Sequence, residues 1–253
     1  MYYSAMTKLL LPPEPADKLT SSPTSRRSFL RYTGAGVALT GLVLAGCDDD
    51  SDDGNNNRID VGSGDTGILN YAYALEQLEA AFYARVKTGQ YYANANAAEK
   101  QIIDDLALHE LAHANFFKAA LGGNAIQALE PEFGTINFDN RDAVLQAAQT
   151  FEDLGVAAYN GAGRYIGSAA NLIIAGKIVS VEARHAALIR DLRNYNTFVD
   201  NDVVDLFTPT STTSAPGMGN GTGKEKSKRP SEVLEAANQY LKEGSKLRAS
   251  SFN

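Results

Sequence analysis

The chain of 253 residues contains one cysteine, so no disulfide can form within it and no thiolate cluster can hold a metal. It is short of positive charge, with 23 Lys and Arg against 30 Asp and Glu, a net charge of −7. The deficit is uneven. Residues 1–46 carry five basic and two acidic side chains, which leaves 18 basic against 28 acidic, or −10, in the remainder. So acidic a body argues against nucleic acid as a partner and against a polybasic membrane patch. No stretch sustains the period-two alternation of a half-buried strand, which leaves an all-α domain. The longest apolar run, Tyr32 to Ala45, is too short to span a bilayer comfortably as a helix, which needs about 20 residues. Histidine is scarce as well: there are three, and two of them follow a glutamate by three residues.

What is present begins with residues 25–47, a charged start, a short apolar stretch and a small-residue end, the three parts of an export signal. Ser25-Arg26-Arg27-Ser28-Phe29-Leu30-Arg31 resembles a twin-arginine signal. Leu44-Ala45-Gly46-Cys47 resembles a bacterial lipobox, in which Cys47 is lipidated and becomes the first mature residue. These resemblances imply a signal peptide over residues 1–46 and an exported, periplasmic or otherwise extracytoplasmic lipoprotein. Its only hold on the membrane would be the lipid. Residues 47–64, acidic and rich in Asn, are expected to be a solvated tether.

The rest of the chain is organised around a constellation that occurs twice. Glu76 and Tyr83, seven apart, precede Glu110-x-x-His113, and Glu152 and Tyr159, again seven apart, precede Glu182-x-x-His185. Each half lies on two helical stretches. Asp65–Lys87 repeats apolar residues at three- and four-residue steps and is closed by Gly89. Ala97–Leu121 follows, ended by Gly122-Gly123. Asn140 can cap a third helix with the stripe Leu145, Ala148, Glu152, Val156, Tyr159, and Ala169–Arg193 is the fourth. Gly155, Gly161, Gly163 and Gly167 weaken the third helix, each by up to ~1 kcal/mol against Ala, and predict close approach of a neighbouring helix. The long connection 122–139 suits a crossover between helices two and three. The expected organisation is a four-helix bundle over 65–198, a mobile loop over 199–230, and over 231–253 a short C-terminal fifth helix with its tail. Ser231 is the expected cap of that helix, and Val233, Leu234, Ala237, Tyr240 and Leu241 its docking stripe.

Both Glu-x-x-His pairs fall on the apolar stripe where Leu or Ile belongs, and positions i and i+3 share a helix face. Four carboxylates buried in an apolar bundle repel one another and cost several kcal/mol per ion if uncompensated. Two divalent cations against four Glu, with two neutral imidazoles, bring the sum to zero. One lone Glu per half and one Glu-x-x-His per half form the ligand set of a dinuclear carboxylate site: Glu76, Glu110, His113, Glu152, Glu182 and His185. Oxygen-rich ligands with one imidazole per metal suit two Fe or Mn ions better than copper or zinc. Tyr83 and Tyr159 are either core tyrosines or donors that steady a ligand from a neighbouring helix. Glu79 shares the face of Glu76 and is a candidate extra or exchangeable ligand, although its counterpart is Gly155. His109, one turn before His113, has only Val181 as counterpart and belongs at the rim rather than among the ligands. Gly161-Ala-Gly163-Arg-Tyr-Ile-Gly167 imitates a dinucleotide loop, but it lies inside a helix with no strand before it.

The residues that carry these features resemble the ferritin-like superfamily, and in particular its bacterial branch that includes desiccation-related proteins. Ala74-Leu75-Glu76-Gln77-Leu78-Glu79-Ala80-Ala81-Phe82-Tyr83, His109-Glu110-Leu111-Ala112-His113 and Val181-Glu182-Ala183-Arg184-His185-Ala186 are the matching stretches, and the likeness covers roughly 65–195. The resemblance implies metal ligation by the six residues named, but the superfamily spans iron storage, peroxidases, oxygenases and manganese catalases. Three functions follow as expectations. The first is a dimetal oxidoreductase acting on peroxide or dioxygen in stress protection, with Glu79, Tyr83, Tyr159 and His109 as its supporting catalytic residues. The second is a non-catalytic envelope or desiccation-stress protein stapled by metal. The third is an iron-storage cage, which lipid tethering and bulky additions at both ends make awkward. A homodimer stays open.

Overall fold

The structure is a computed structural model that describes residues 57–207 and 220–252. The signal peptide, Cys47 and most of the expected tether lie outside the described residues. Six helices and two short strands occur among those described: β1 Ile59–Asp60, α1 Gly64–Val86, α2 Gln90–Asn94, α3 Ala97–Leu121, α4 Arg141–Ala162, α5 Ala169–Arg193, α6 Pro230–Ala237 and β2 Leu247–Arg248. The four long helices form an all-α bundle. Among the described residues no helix is long and apolar enough to cross a membrane.

Local chemistry sets the ends of the long helices. Asn96, Asn140 and Ser168 each accept a hydrogen bond from the backbone N–H three residues on, satisfying a donor that the first turn leaves free. Asp65, in the first turn of α1, accepts from the N–H groups of Gly167 at 2.7 Å and Ser168 at 3.0 Å, and from the Asn171 amide at 2.7 Å. One carboxylate thereby pins the start of α1 to the start of α5.

The crossover between α3 and α4 is directly traceable. Asn70 bonds the backbone of Asn124 and Ile126, Gln77 accepts from the N–H of Leu129, and the Phe138 carbonyl accepts from Tyr91. The connection therefore runs along α1 from its beginning to beyond its end. It delivers α4 to the pole where α3 starts, and there Arg141 bridges Glu99 and the Leu192 carbonyl. As a result α4 runs antiparallel to α1, and α5 antiparallel to α3. Phe82, Phe133, Phe138, Phe151 and Tyr240 pack in tilted and edge-on pairs beside this crossover, with Phe82–Phe151 and Phe151–Tyr240 centroids 4.8 and 4.7 Å apart.

Three expectations need correction. The tether does not stay free to residue 64: Ile59 and Asp60 pair in parallel with Leu247 and Arg248, and Val61 is buried, because apolar side chains here meet the C-terminal segment. The described parts of the expected mobile loop are hydrogen-bonded. Lys226 donates to Val203 at 2.7 Å, and Lys228 donates to the Ala157 carbonyl of α4 at 3.1 Å. The cap of α6 is Arg229 rather than Ser231, because Pro230, with no N–H and a fixed φ, suits the first helical position. The docking stripe is buried as expected at Val233, Leu234, Ala237 and Leu241.

Gly161 explains why the strap over α4 can lie so close. A Cβ there would stand 1.7 Å from the Lys228 carbonyl oxygen, whereas a Cβ on Gly176 in α5 meets nothing within 4 Å. Gly176→Ala is therefore expected to stabilise the fold by up to ~1 kcal/mol. Gly161→Ala is expected to destabilise it by about 1–3 kcal/mol despite the better helix former. Urea denaturation of both variants reads the two signs.

Candidate metal centre

Glu76 and Tyr83 lie two turns apart on the inner face of α1, and Glu152 and Tyr159 do so on α4. Because these helices are antiparallel, the Tyr83 hydroxyl donates to Glu152 Oε1, and the Tyr159 hydroxyl donates to Glu76 Oε1. Each half of the repeat thus holds the lone glutamate of the other. Glu110 and His113 come inward from α3, Glu182 and His185 from α5, and all four glutamates are completely buried.

The six side chains form two quartets that share two members: Glu76, Glu110, His113 and Glu182 in one, Glu110, Glu152, Glu182 and His185 in the other. His113 Nδ1 lies 3.3 Å from Glu76 Oε2, 3.4 Å from Glu110 Oε2 and 2.9 Å from Glu182 Oε1. His185 Nδ1 lies 2.8 Å from Glu110 Oε1, 3.5 Å from Glu152 Oε2 and 3.5 Å from Glu182 Oε2. Glu110 and Glu182 therefore turn one oxygen to each quartet. Both oxygens of each, Oε2 of Glu76 and of Glu152, and Nδ1 of both histidines are buried without a hydrogen-bond partner. The separations are short, but the ring N–H groups are not directed along them; the atoms converge on common points instead. Buried polar atoms are almost always satisfied, so unsatisfied donor atoms grouped in fours are what cation ligation would require. The residues could hold metal ions, with Glu110 and Glu182 common to both quartets.

Electrostatics point the same way. Burial alone would lower the pKa of His113, but Glu110, Glu182 and Glu76 around it push it up to about 12. Glu110, Glu152 and Glu182 do the same for His185, also up to about 12. Burial, opposed by His185, raises Glu152 to about 8, and burial holds Glu76 well above the usual carboxylate range. Glu110, which burial would raise, stands between both imidazoles and is drawn down to about 2. Without cations, the two imidazoles and the carboxyls of Glu76 and Glu152 are the groups here that keep protons.

Every residue singled out from the sequence for the metal centre is at or beside the cluster. Tyr83 and Tyr159 are buried donors to glutamates on the facing helix. Glu79 is buried but outside both quartets as arranged here. His109 is exposed at the rim, its Nδ1 2.9 Å from His185 Nε2, with the two rings stacked at 5.1 Å. His113 has no such neighbour, since the counterpart of His109 is Val181. What spacing did not reveal is the sharing of Glu110 and Glu182. The signal lay in the tyrosines: a glutamate with one oxygen taken by a phenol has one left for a cation, whereas Glu110 and Glu182 have two.

The family model for the ferritin-like domain matches residues 64–195, and the chain belongs to that family. No curated protein matches it.

Two outcomes are expected. Tyr83→Phe and Tyr159→Phe each leave a buried carboxylate oxygen without its donor, so each should lower stability by about 1–3 kcal/mol, equally for the two halves, in urea titrations. The second outcome concerns protons. A histidine pKa raised in the fold stabilises it fully below the ordinary value near 6.5, and this is lost as pH climbs toward about 12. The metal-free fold should therefore weaken with alkali. Cations at Nδ1 must displace the protons, so metal affinity should rise with pH, and calorimetry in buffers of different ionisation enthalpy should detect proton release.

Proposed function

We propose that this ferritin-like protein is an exported, lipid-anchored metalloprotein that holds two iron or manganese ions and uses them on peroxide or dioxygen. The observation that carries the metal reading is the set of unsatisfied donor atoms, four to each quartet, in a region otherwise packed with apolar side chains. Export and anchoring rest on the twin-arginine-like Ser25–Arg31 and the lipobox-like Leu44–Cys47. Bound there, a pair of redox-active ions would supply the electrons that reduce an O–O bond.

In this reading Glu76, His113, Glu152 and His185 are terminal ligands, and Glu110 and Glu182 are shared. Tyr83 and Tyr159 fix the unbound oxygen of each lone glutamate and so its orientation. With Nδ1 of His185 turned inward, its Nε2–H donates to Nδ1 of exposed His109, which links the buried ring to solvent and offers a route for protons. The fully buried glutamates exclude bulk water from the pair. A homodimer belongs to the same proposal, supported by the exposed apolar side chains Leu108, Leu111, Leu172, Ile173 and Leu188 on α3 and α5.

The same burial favours a second reading, in which the cations serve only to neutralise the cluster and the protein is a non-catalytic envelope or desiccation-stress protein. Metal analysis by mass spectrometry separates these readings. The purified protein is expected to carry about two iron or manganese ions per chain, lost in a His113→Ala/His185→Ala variant, and the loaded protein is expected to consume peroxide or dioxygen. A loaded but inert protein that unfolds when stripped would support the structural reading, and a chain that takes up no metal would sink both.

A further inference from the structure

The two halves of the site match at every ligand and at both tyrosines, but not one turn after each lone glutamate. Glu79 follows Glu76, whereas Gly155 follows Glu152. Glu79 is only 4% exposed. Its carboxylate occupies the room that a side chain at 155 would take: a Cβ on Gly155 would stand 3.1 Å from Glu79 Oε1 and 3.8 Å from Glu79 Cδ. No ion pair or hydrogen bond satisfies this carboxylate among the described residues. The charges that act on it most strongly are negative. After burial, Glu110, Glu182, Glu76 and Glu152 push its pKa well above the usual range. Glu79 also adds to the field that raises the pKa of both Tyr83 and Tyr159.

A buried acid surrounded by acids, with neither a cation nor a donor, is a costly thing for a core to keep. A side chain that only filled space would need no charge. The geometry points to Glu79 as a seventh protein ligand, a carboxylate that approaches the cation pair from α1, with position 155 a glycine to leave it room to swing. This rests on the dinuclear reading of the cluster. It adds a charge argument: four glutamates neutralise two divalent ions, whereas five neutralise one divalent and one trivalent ion. Because Glu79 enters from one half only, it also makes the two cation positions inequivalent.

The test uses Mn²⁺ alone, added to the metal-free protein and followed by calorimetry and by electron paramagnetic resonance. Glu79→Gln is expected to retain two Mn²⁺ with at least a tenfold loss of affinity at one position and an altered spectrum of the coupled pair. Its metal-free urea midpoint should stay equal or rise, because a buried acid has been neutralised. Gly155→Ala, which presses on the carboxylate, should weaken Mn²⁺ binding in the Glu79 background and have no effect in Glu79→Ala. Wild-type affinity and spectrum in Glu79→Gln, or a Gly155→Ala effect of equal size in both backgrounds, would overturn the proposal. A wild-type protein that binds no Mn²⁺ would overturn the dinuclear reading itself.

Discussion

Charge has to be neutralised in a core that water does not reach, and most of the bundle answers to that requirement. Among the described residues, no arginine or lysine pairs with the four completely buried glutamates. The compensating groups are the two imidazoles on α3 and α5 and the two phenols on α1 and α4, and each of these depends on the antiparallel arrangement of its helices. That arrangement depends in turn on the crossover, which hydrogen-bonds along α1 through Asn70 and Gln77 and returns the chain to the pole from which α4 must start. Had the connection been short, α4 would run the other way, and Tyr83 and Tyr159 could not exchange glutamates.

Protons and cations compete for the same atoms. The raised imidazoles and the raised carboxylates of Glu76 and Glu152 describe a cluster that collects protons when nothing else is available, while Glu110 stays ionised between the two rings. A core that must hold either protons or metal couples its stability to the medium. For a protein whose leader resembles an export signal, that medium would be one it does not control.

Much of this was legible in the sequence, because the helices announce themselves twice: by apolar periodicity, and by polar residues standing where that periodicity calls for Leu or Ile. Glu110, His113, Glu182 and His185 could be assigned to one interior from spacing alone. Spacing fixes a face, however, and not which oxygen turns which way, so the sharing of Glu110 and Glu182 needed coordinates. The reason for Gly155 was also hidden. The sequence suggested a close helix, whereas the neighbour is the carboxyl end of Glu79. At Gly161 the neighbour is backbone, but it belongs to the Lys228 strap, whose Gly, Lys and Ser composition reads as loop. The pairing of Ile59 with Leu247 escaped because two-residue strands at opposite ends of a chain leave no periodic trace.

The exchange of glutamates between halves also bears on how such a site could arise. Two identical helical hairpins docked about a twofold axis would supply all six residues of the two quartets and both tyrosine bonds, so a homodimer of half-chains is a sufficient ancestor. In that ancestor any residue at one position appears twice. A glutamate at 79 would face another glutamate where Gly155 now leaves space, and a histidine at 109 would be repeated where Val181 now stands. Joining the hairpins into one chain lifts that restriction. Covalent fusion lets the two sides of the centre carry different residues, and so lets a symmetric centre acquire a front and a back.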